Sequence, residues 1–598
     1  MLTSGEKHHL YGAPLFQKEK DGALGDFYEY TPEGLLKCAI SQGMRYAYEY
    51  DAMDRMTRKS ASGRTLLALA YDRNGNKISQ ADVTGKVTEY AYSPLDLLER
   101  VWDDGKELAA YTYNPDGTPK AVTHGPIRQE YAYDLDKNLT GLTVRSGDAL
   151  LARNSYAYDG NGNRTLKRQL GGETLYHYDP LNQLKKVEYP GYTEELFYDK
   201  AGNRTKRIAQ GVEELYRYDP RNRLMAYTKN GVTTMFQYDN AGNLLVDDKA
   251  QYSYDAFNRT TRVETFDGNV QVNRYDAEGL RYEMEENGNL VQFIFNQDRE
   301  VVTEEDSTGL TRLIRSTELI ARSSESARTY YHYASDEMGS ATHIVDEAGN
   351  VQNRYEYDAW GKITVKEEAV PNRFTYYGQQ IDPITQQYYL RARFYNPVIG
   401  RFAQEDTYRG DGLNLYAYCA NNPVYYVDPS GLDKDALHRV YGVDAIYEKF
   451  TPDEIELLKS TVINEGQMLK DIGLTNNQLG PAIAGVYNKA TGKIYTAINS
   501  MDGSLPKELH PFIAERIANM PDDVFLSYNK YTHGAGSHAE VYAVNKALLD
   551  GENVRIDDLL VYVNKTLGVS KPVTEIPFVT CPHCQYIFEG FNILSNQS

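Results

Sequence analysis

A Tyr-x-Tyr-Asp pattern returns along the first half of this chain with a nearly fixed step, which excludes most folds. Its tyrosine falls at Tyr50, Tyr71, Tyr92, Tyr113, Tyr133, Tyr158, Tyr178, Tyr198, Tyr218, Tyr238, Tyr254 and Tyr275, and most intervals are 20 or 21 residues. The best copies read YAYDGNGNRT, YHYDPLNQLK, LFYDKAGNRT, YRYDPRNRLM and FQYDNAGNLL. A regular period of this size marks a repeat architecture. Aromatic alternation puts both rings on one face of a strand, because side chains alternate with period two. The Asp, followed by Gly-Asn or Asn-Arg, supplies turn chemistry: Asp caps the turn and Gly or Asn tolerates positive φ. Each unit is therefore a strand, a tight turn and a returning strand, and it buries its face only against stacked neighbours. That packing role accounts for 52 Tyr against 17 Phe and 2 Trp.

The pattern resembles the YD repeats of the Rhs family, shared with teneurins and the C subunit of Tc toxins, over roughly residues 25 to 432. The resemblance implies a mainly β fold in which a YD-repeat shell encloses a polypeptide. From Tyr330 the chain is similar to the Rhs-associated core, ending in Asp428-Pro429-Ser430-Gly431-Leu432. Asp406 lies 22 positions before Asp428, the spacing of that family's paired D-P-x-G motif, although the first half reads Asp406-Thr407-Tyr408-Arg409 without the Pro and Gly. Two carboxyls brought together can share a proton, one activating water while the other polarises a peptide carbonyl. By resemblance the bond cut follows Leu432 and precedes Asp433, with Arg401 as a candidate to stabilise the charged member of the pair. Aspartates that only cap turns are the alternative. The expected domains are 1–329 (repeat shell), 330–432 (core with the cleavage motif) and 433–598 (a small α/β domain).

After Leu432 the tyrosine period vanishes. Thr451-Pro452-Asp453-Glu454 opens a helix, PAIAGVYNK and KIYTAINS form a hairpin through Thr491-Gly492, and a helix follows from Pro506 to about Met520. Ser537-His538-Ala539-Glu540 opens another helix, LLVYVNK is a strand, and the last helix opens in the stretch Pro577 to Cys584. His538, Cys581 and Cys584 suit Zn²⁺, and three protein ligands leave a fourth position for water, as in catalytic sites. Glu540, two residues after His538, can face that position and carry a proton from the attacking water to a leaving amine. Bound zinc would lower the pKa of that water to about 7. An H-x-E followed by C-x-x-C is the zinc deaminase pattern. With Pro582 inside the second motif, the arrangement resembles the YwqJ-like branch of deaminase-fold toxins. With His583 as a fourth ligand, the cluster could instead be a structural zinc knob.

The net charge of -20, and 14 Lys and Arg against 21 Asp and Glu from Asp433 to Ser598, argue against a general phosphate-binding surface. The substrate expected is a nucleobase in a free nucleotide, or in nucleic acid met through a local basic patch. No stretch approaches a membrane span, and Met1 to Lys18 lacks a secretory apolar run. Four cysteines, Cys38, Cys419, Cys581 and Cys584, do not make a disulfide framework. The resemblance implies a secreted or surface-delivered toxin, used in competition between bacteria, that acts in a target cell's cytoplasm. It also implies a cognate immunity protein and an export or shell partner. The competing functions are a YD-repeat adhesion protein with a structural zinc site and, less favoured for want of a basic surface, a nuclease cargo.

Overall fold

The computed structural model describes residues 4–8, 15–20, 23–32, 34–41, 44–135, 137–324, 329–407, 414–432, 435–436, 450, 452–474, 478, 482–500, 504–520, 538–551, 554–565, 582–588 and 591–594. The chain divides into two compact units, formed mainly by residues 16–442 and by residues 443–598.

The first unit is mainly β, as the repeat requires. Sequence neighbours pair antiparallel, giving a 23-stranded sheet from Ser4 to Met235 and a 14-stranded sheet from Gln237 to Glu368. One copy shows why the repeat folds this way. Strand Tyr192–Tyr198 pairs with Arg204–Ala209, and the register slips between Phe197 and Tyr198, a bulge repeated at Tyr178 and Tyr218. Asp199 fills the turn beyond it. Its amide donates to Asn203 O at 2.9 Å, its Oδ1 accepts from the Ala201 and Asn203 amides at 2.9 Å, and its Oδ2 accepts from Asn203 Nδ2 at 3.0 Å. Gly202 takes φ +75°, the left-handed region, and Asn182 and Asn222 take it at 60° and 61° in adjoining copies.

The tyrosine before each Asp closes the unit. Tyr198 donates its hydroxyl to Leu184 O at 2.8 Å, and Tyr178, Tyr218, Tyr275 and Tyr357 make the corresponding bond to Arg164, Arg204, Thr260 and Ala341. Phenylalanine would bury the same ring but leave that carbonyl without its partner, so the family of positions is tyrosine rather than a general aromatic.

Apolar clusters join the two sheets. Val122, Ile127, Tyr131 and Leu142 pack with Ala334 and Val345, and Tyr90, Val101 and Leu108 pack with Ile314, Ile320 and Ala321. A buried ion cluster crosses the same join: Arg312 pairs with Asp82 and reaches both oxygens of Asp103, at 2.5 and 2.7 Å. Tyr330 and Thr88 satisfy the rest of Asp103 at 2.8 and 2.9 Å.

Residues 376–432 close the unit with a different construction. Four short strands, Gln380–Ile381, Tyr388–Leu390, Arg393–Asn396 and Arg401–Phe402, form one sheet over a core of Tyr376, Tyr388, Tyr395, Phe402 and Tyr418. This segment is anchored on the row of repeat turns. Asn422 donates to Asn163 Oδ1 at 2.9 Å, Asn421 to Gly202 O at 2.8 Å and Tyr416 to Gly242 O at 2.8 Å.

The second unit is α/β. Its sheet runs in the order Lys493–Ile498, Ala482–Asn488, Leu559–Lys565, Asn592–Ile593, with only the last pairing parallel. Helix α1 (Pro452–Asp471) covers the face carrying Ile483, Tyr487, Leu560 and Tyr562. It lies so close that a Cβ on Gly485 would sit 2.3 Å from Val462 Cγ2. Helices α2 (Pro511–Ala518), α3 (Ala539–Leu549) and α4 (Pro582–Ile587) cover the other face. The hairpin and the strand LLVYVNK fall where the sequence places them. Helix α2 begins later than its expected start at Pro506, at Pro511, where His510 caps it by accepting from the Phe512 amide. No helix among the described residues is long and apolar enough to cross a membrane.

Candidate functional sites

The first site lies at the end of the first unit. The DPSGL segment runs along the strand ending at Leu390 and the one beginning at Arg393: Ala392 donates to Ser430 O at 3.1 Å and Arg391 to Pro429 O at 2.7 Å. Gly431 is required here. Its φ is +75°, and a Cβ would lie 2.4 Å from Leu390 O and 2.9 Å from Arg393 N. The turn folds back on Asp428, whose Oδ1 accepts from the Gly431 amide at 2.7 Å and from Ser430 N and Oγ at 3.1 and 3.2 Å. Leu432 is held through its amide to Ser430 Oγ at 3.1 Å.

Asp406 and Asp428, 22 residues apart in sequence, meet at one guanidinium. Arg393 Nη2 lies 2.6 Å from Asp406 Oδ2 and 3.7 Å from Asp428 Oδ2, and all three side chains are buried. Burial pushes the Asp428 carboxyl up to about 7, against the pull of Arg393 and the Gly431 amide and with a further push from Asp406. The first half-motif therefore reaches its partner without the missing Pro and Gly.

The cation at the pair is Arg393, and this corrects the expectation placed on Arg401. Arg401 instead binds the repeat turns, through Asn203 Oδ1 at 3.1 Å and Asn222 O at 2.6 Å, and stacks 4.7 Å from the Tyr218 ring centre. A sequence signal existed, though it does not separate the two: Arg391 and Arg393 are the charges inside the otherwise apolar and aromatic run YYLRARFY. Asp433, on the far side of the expected bond, lies outside the described residues.

The second site lies in the second unit. Helix α3 runs alongside strand Lys493–Ile498: Asp550 pairs with Lys493 at 2.6 Å, Lys546 donates to Thr496 O at 2.8 Å, and Tyr542 to Ser504 O at 2.7 Å. His538 is therefore at the end of the sheet where that strand finishes. It is the N-cap of α3, but its ring makes no capping bond. Its Nδ1 lies 3.1 Å from Cys584 Sγ on α4. Ligand atoms of His538, Glu540 and Cys584 all fall within 4.8 Å of one another, and all three residues are buried. His583 is buried beside them, its ring 6.4 Å from that of His538. Cys581 and Ser537 lie outside the described residues.

Two family models match, one in each unit. The Teneurin YD-shell family model matches residues 166–424, and the YwqJ-like deaminase family model matches residues 466–593. The chain is a YD-repeat shell with a YwqJ-like deaminase domain. Toxin YwqJ of Bacillus subtilis is 47% identical over 138 residues, which is 23% of this chain and 23% of that protein. Double-stranded DNA deaminase toxin A of Burkholderia cenocepacia is 33% identical over 175 residues, 27% of this chain and 12% of that protein. The matches thus span under a quarter of either relative. The Tc holotoxin pore of Photorhabdus luminescens superposes with a TM-score of 0.56 at 15% identity, over 72% of this chain and 26% of that one. At that identity the likeness is of fold.

In the deaminase domain, imidazole, thiol and carboxylate converge in a buried cluster, a donor set that suits zinc. Among the described residues, His538 and Cys584 carry the nitrogen and sulfur that could hold the ion. Glu540, in the first turn of α3, is placed beside them with its carboxylate facing the same point.

Proposed function

We propose that this protein is a polymorphic toxin: the YD shell carries residues 433–598, a zinc-dependent deaminase that acts on a nucleobase in nucleic acid or in a nucleotide. The observation that carries the reading is the convergence of His538, Glu540 and Cys584. His538, Cys584 and Cys581 would hold the zinc ion, which when bound acidifies water and supplies a nucleophile near neutral pH. Glu540 takes the proton of the attacking water. It passes that proton to the ring nitrogen beside the carbon attacked, and the remaining hydroxyl proton goes to the exocyclic nitrogen, which leaves as ammonia while the ring carbon becomes a carbonyl. Burial of Glu540 keeps bulk water from competing for the proton it carries.

Release follows from the other site. With Asp406 ionised and Asp428 protonated, the chain hydrolyses its own bond after Leu432, before Asp433. The likeness to toxins delivered from one cell to another supports action in a target cell's cytoplasm, export with a partner, and protection of the producer by a cognate immunity protein.

The test is expression of the full chain in cells, with sequencing of their DNA and RNA for C-to-U and A-to-I changes and an assay of the nucleotide pool. Glu540→Ala should keep its zinc and lose deamination by about 10²- to 10⁴-fold. Base changes and toxicity that persist in this variant would discard the mechanism.

A further inference from the structure

We propose that a cavity between the early repeats and the second sheet binds a small primary ammonium ion, with the Glu318 carboxylate as its counter-ion and tyrosine rings as its walls. The cavity shares no residue with either site described above.

The walls follow from the repeat. Alternation puts Tyr90 and Tyr92 on one face of strand Val87–Tyr92, Tyr111 and Tyr113 on one face of Lys106–Tyr113, and Tyr131 on Ile127–Tyr133. With Glu318, in the turn between strands Gly309–Arg315 and Leu319–Ser324, they line a cavity of about 290 Å³. Their hydroxyls are already placed: Tyr90 donates to Arg315 O at 3.1 Å, Tyr111 to Ser316 Oγ at 2.7 Å and Tyr113 to Leu98 O at 2.6 Å, and Tyr131 accepts from Gln129 at 2.6 Å. The rings still offer their electron-rich faces, which attract cations. Lys77 shows this in the same cavity. Its Nζ lies 5.2 Å from the Tyr90 ring centre and is committed to Asp298 at 3.9 Å, whereas the charge of Glu318 falls on Tyr111 and Tyr131.

Glu318 lacks what such a cation supplies. Elsewhere in the first unit Glu194, Glu214, Glu278 and Glu337 each pair with an Arg or Lys. Among the described residues Glu318 pairs with none. Burial pushes its carboxyl up to about 7, with Asp336 adding to the push against a hydrogen bond from Ser335. A carboxylate enclosed without a counter-ion is costly to ionise, and an ammonium in the cavity removes that cost. The same tyrosine row leaves a second group unsatisfied. Tyr133 Oη is buried with no hydrogen-bond partner, whereas Tyr113 and Tyr158 on either side donate to Leu98 O and Leu139 O at 2.6 and 2.8 Å. A carboxylate and a spare hydroxyl favour a cation that carries N–H donors over a quaternary one. The volume is at the small end for ligand cavities, which sets the class as a short alkylammonium.

The purified full chain would be titrated calorimetrically with n-butylamine hydrochloride at about pH 8, where both the amine and Glu318 are charged. A parallel titration uses n-butanol, which has the same carbon chain and no charge. The amine should bind saturably and about tenfold or more tighter than the alcohol. Glu318→Gln should weaken the amine by about tenfold and leave the alcohol unchanged, and Tyr111→Leu should weaken the amine by about three- to tenfold. No saturable binding of the amine up to about 0.1 M, equal binding of amine and alcohol, or an unchanged amine affinity in either variant would overturn the proposal. Should a variant fail to fold by circular dichroism, the comparison of amine with alcohol in the unaltered chain decides.

Discussion

Two arginines eight positions apart, Arg393 and Arg401, have opposite fates. Each is buried, stacked on an aromatic ring and fully engaged, but only Arg393 faces carboxylates; Arg401 faces backbone and side-chain oxygens of the repeat turns. At the same scale, Gly431 is a sharper requirement than the sequence motif conveys. Its positive φ and the 2.4 Å approach of Leu390 O to a would-be Cβ make any side chain there push the DPSGL turn off its strand. Gly431→Ala should therefore cost about 1–3 kcal/mol of local strain and slow cleavage by about tenfold or more, read as an accumulating uncleaved band in a timed expression. Unchanged cleavage would show that Leu432 reaches the carboxyls without this turn.

At the level of the element, the repeat is held by three devices in one place: the bulge at the tyrosine, the Asp that fills the turn, and the tyrosine hydroxyl on the carbonyl of an earlier strand. Removing one tests its worth. Tyr198→Phe deletes the bond to Leu184 O and should cost about 1 kcal/mol. Asp199→Ala removes the acceptor of two backbone amides and should cost about 2 kcal/mol. Urea denaturation of the two variants side by side gives the comparison, and an Asp199→Ala loss smaller than that of Tyr198→Phe would reverse the ranking. These elements were the most legible part of the sequence, because tyrosine spacing, Asp position and Gly or Asn placement are local signals read within one period. Helix α2 was less so. Its start depends on His510, whose backbone amide donates to Asn545 Oδ1 at 2.8 Å, an anchor 35 residues away in sequence.

Over the whole first unit, the ionisable groups predict how stability follows pH. Burial raises Asp276, Glu318, Asp336, Asp358 and Asp428, the last to about 7 from an ordinary 3.8. A raised carboxyl holds a proton in the native state that the unfolded chain has released, so its stabilisation is full below 3.8 and is lost as pH rises through about 7. Burial depresses His124 to about 3, and His332 and His343 to about 4, from 6.5, so these act in the other direction, but only below 6.5. Glu214 and Glu337, lowered to about 2 from 4.5, add stability as pH rises to about 4.5 and contribute no slope above it. Below about pH 6.5 the histidines and carboxyls oppose each other; above it the carboxyls act alone. The urea midpoint should fall from about pH 5 to about pH 8, five raised carboxyls outweighing three histidines below pH 6.5 and acting alone above it, and a midpoint that climbs over this interval would contradict this balance.

The sequence by itself determined the repeat, its strand-and-turn unit, the place where the tyrosine period stops, and the H-x-E and C-x-x-C motifs, because each rests on short-range geometry repeated or completed within a few residues. Only the tertiary structure decided which groups meet. His538 and Cys584 come together because α3 and α4 lie on one face of a sheet, and Asp406 and Asp428 because the closing segment folds back on Arg393. The partner of a buried charge depends on which distant strand carries the chain past it, and that is fixed by the packing of the whole unit rather than by residues nearby in sequence.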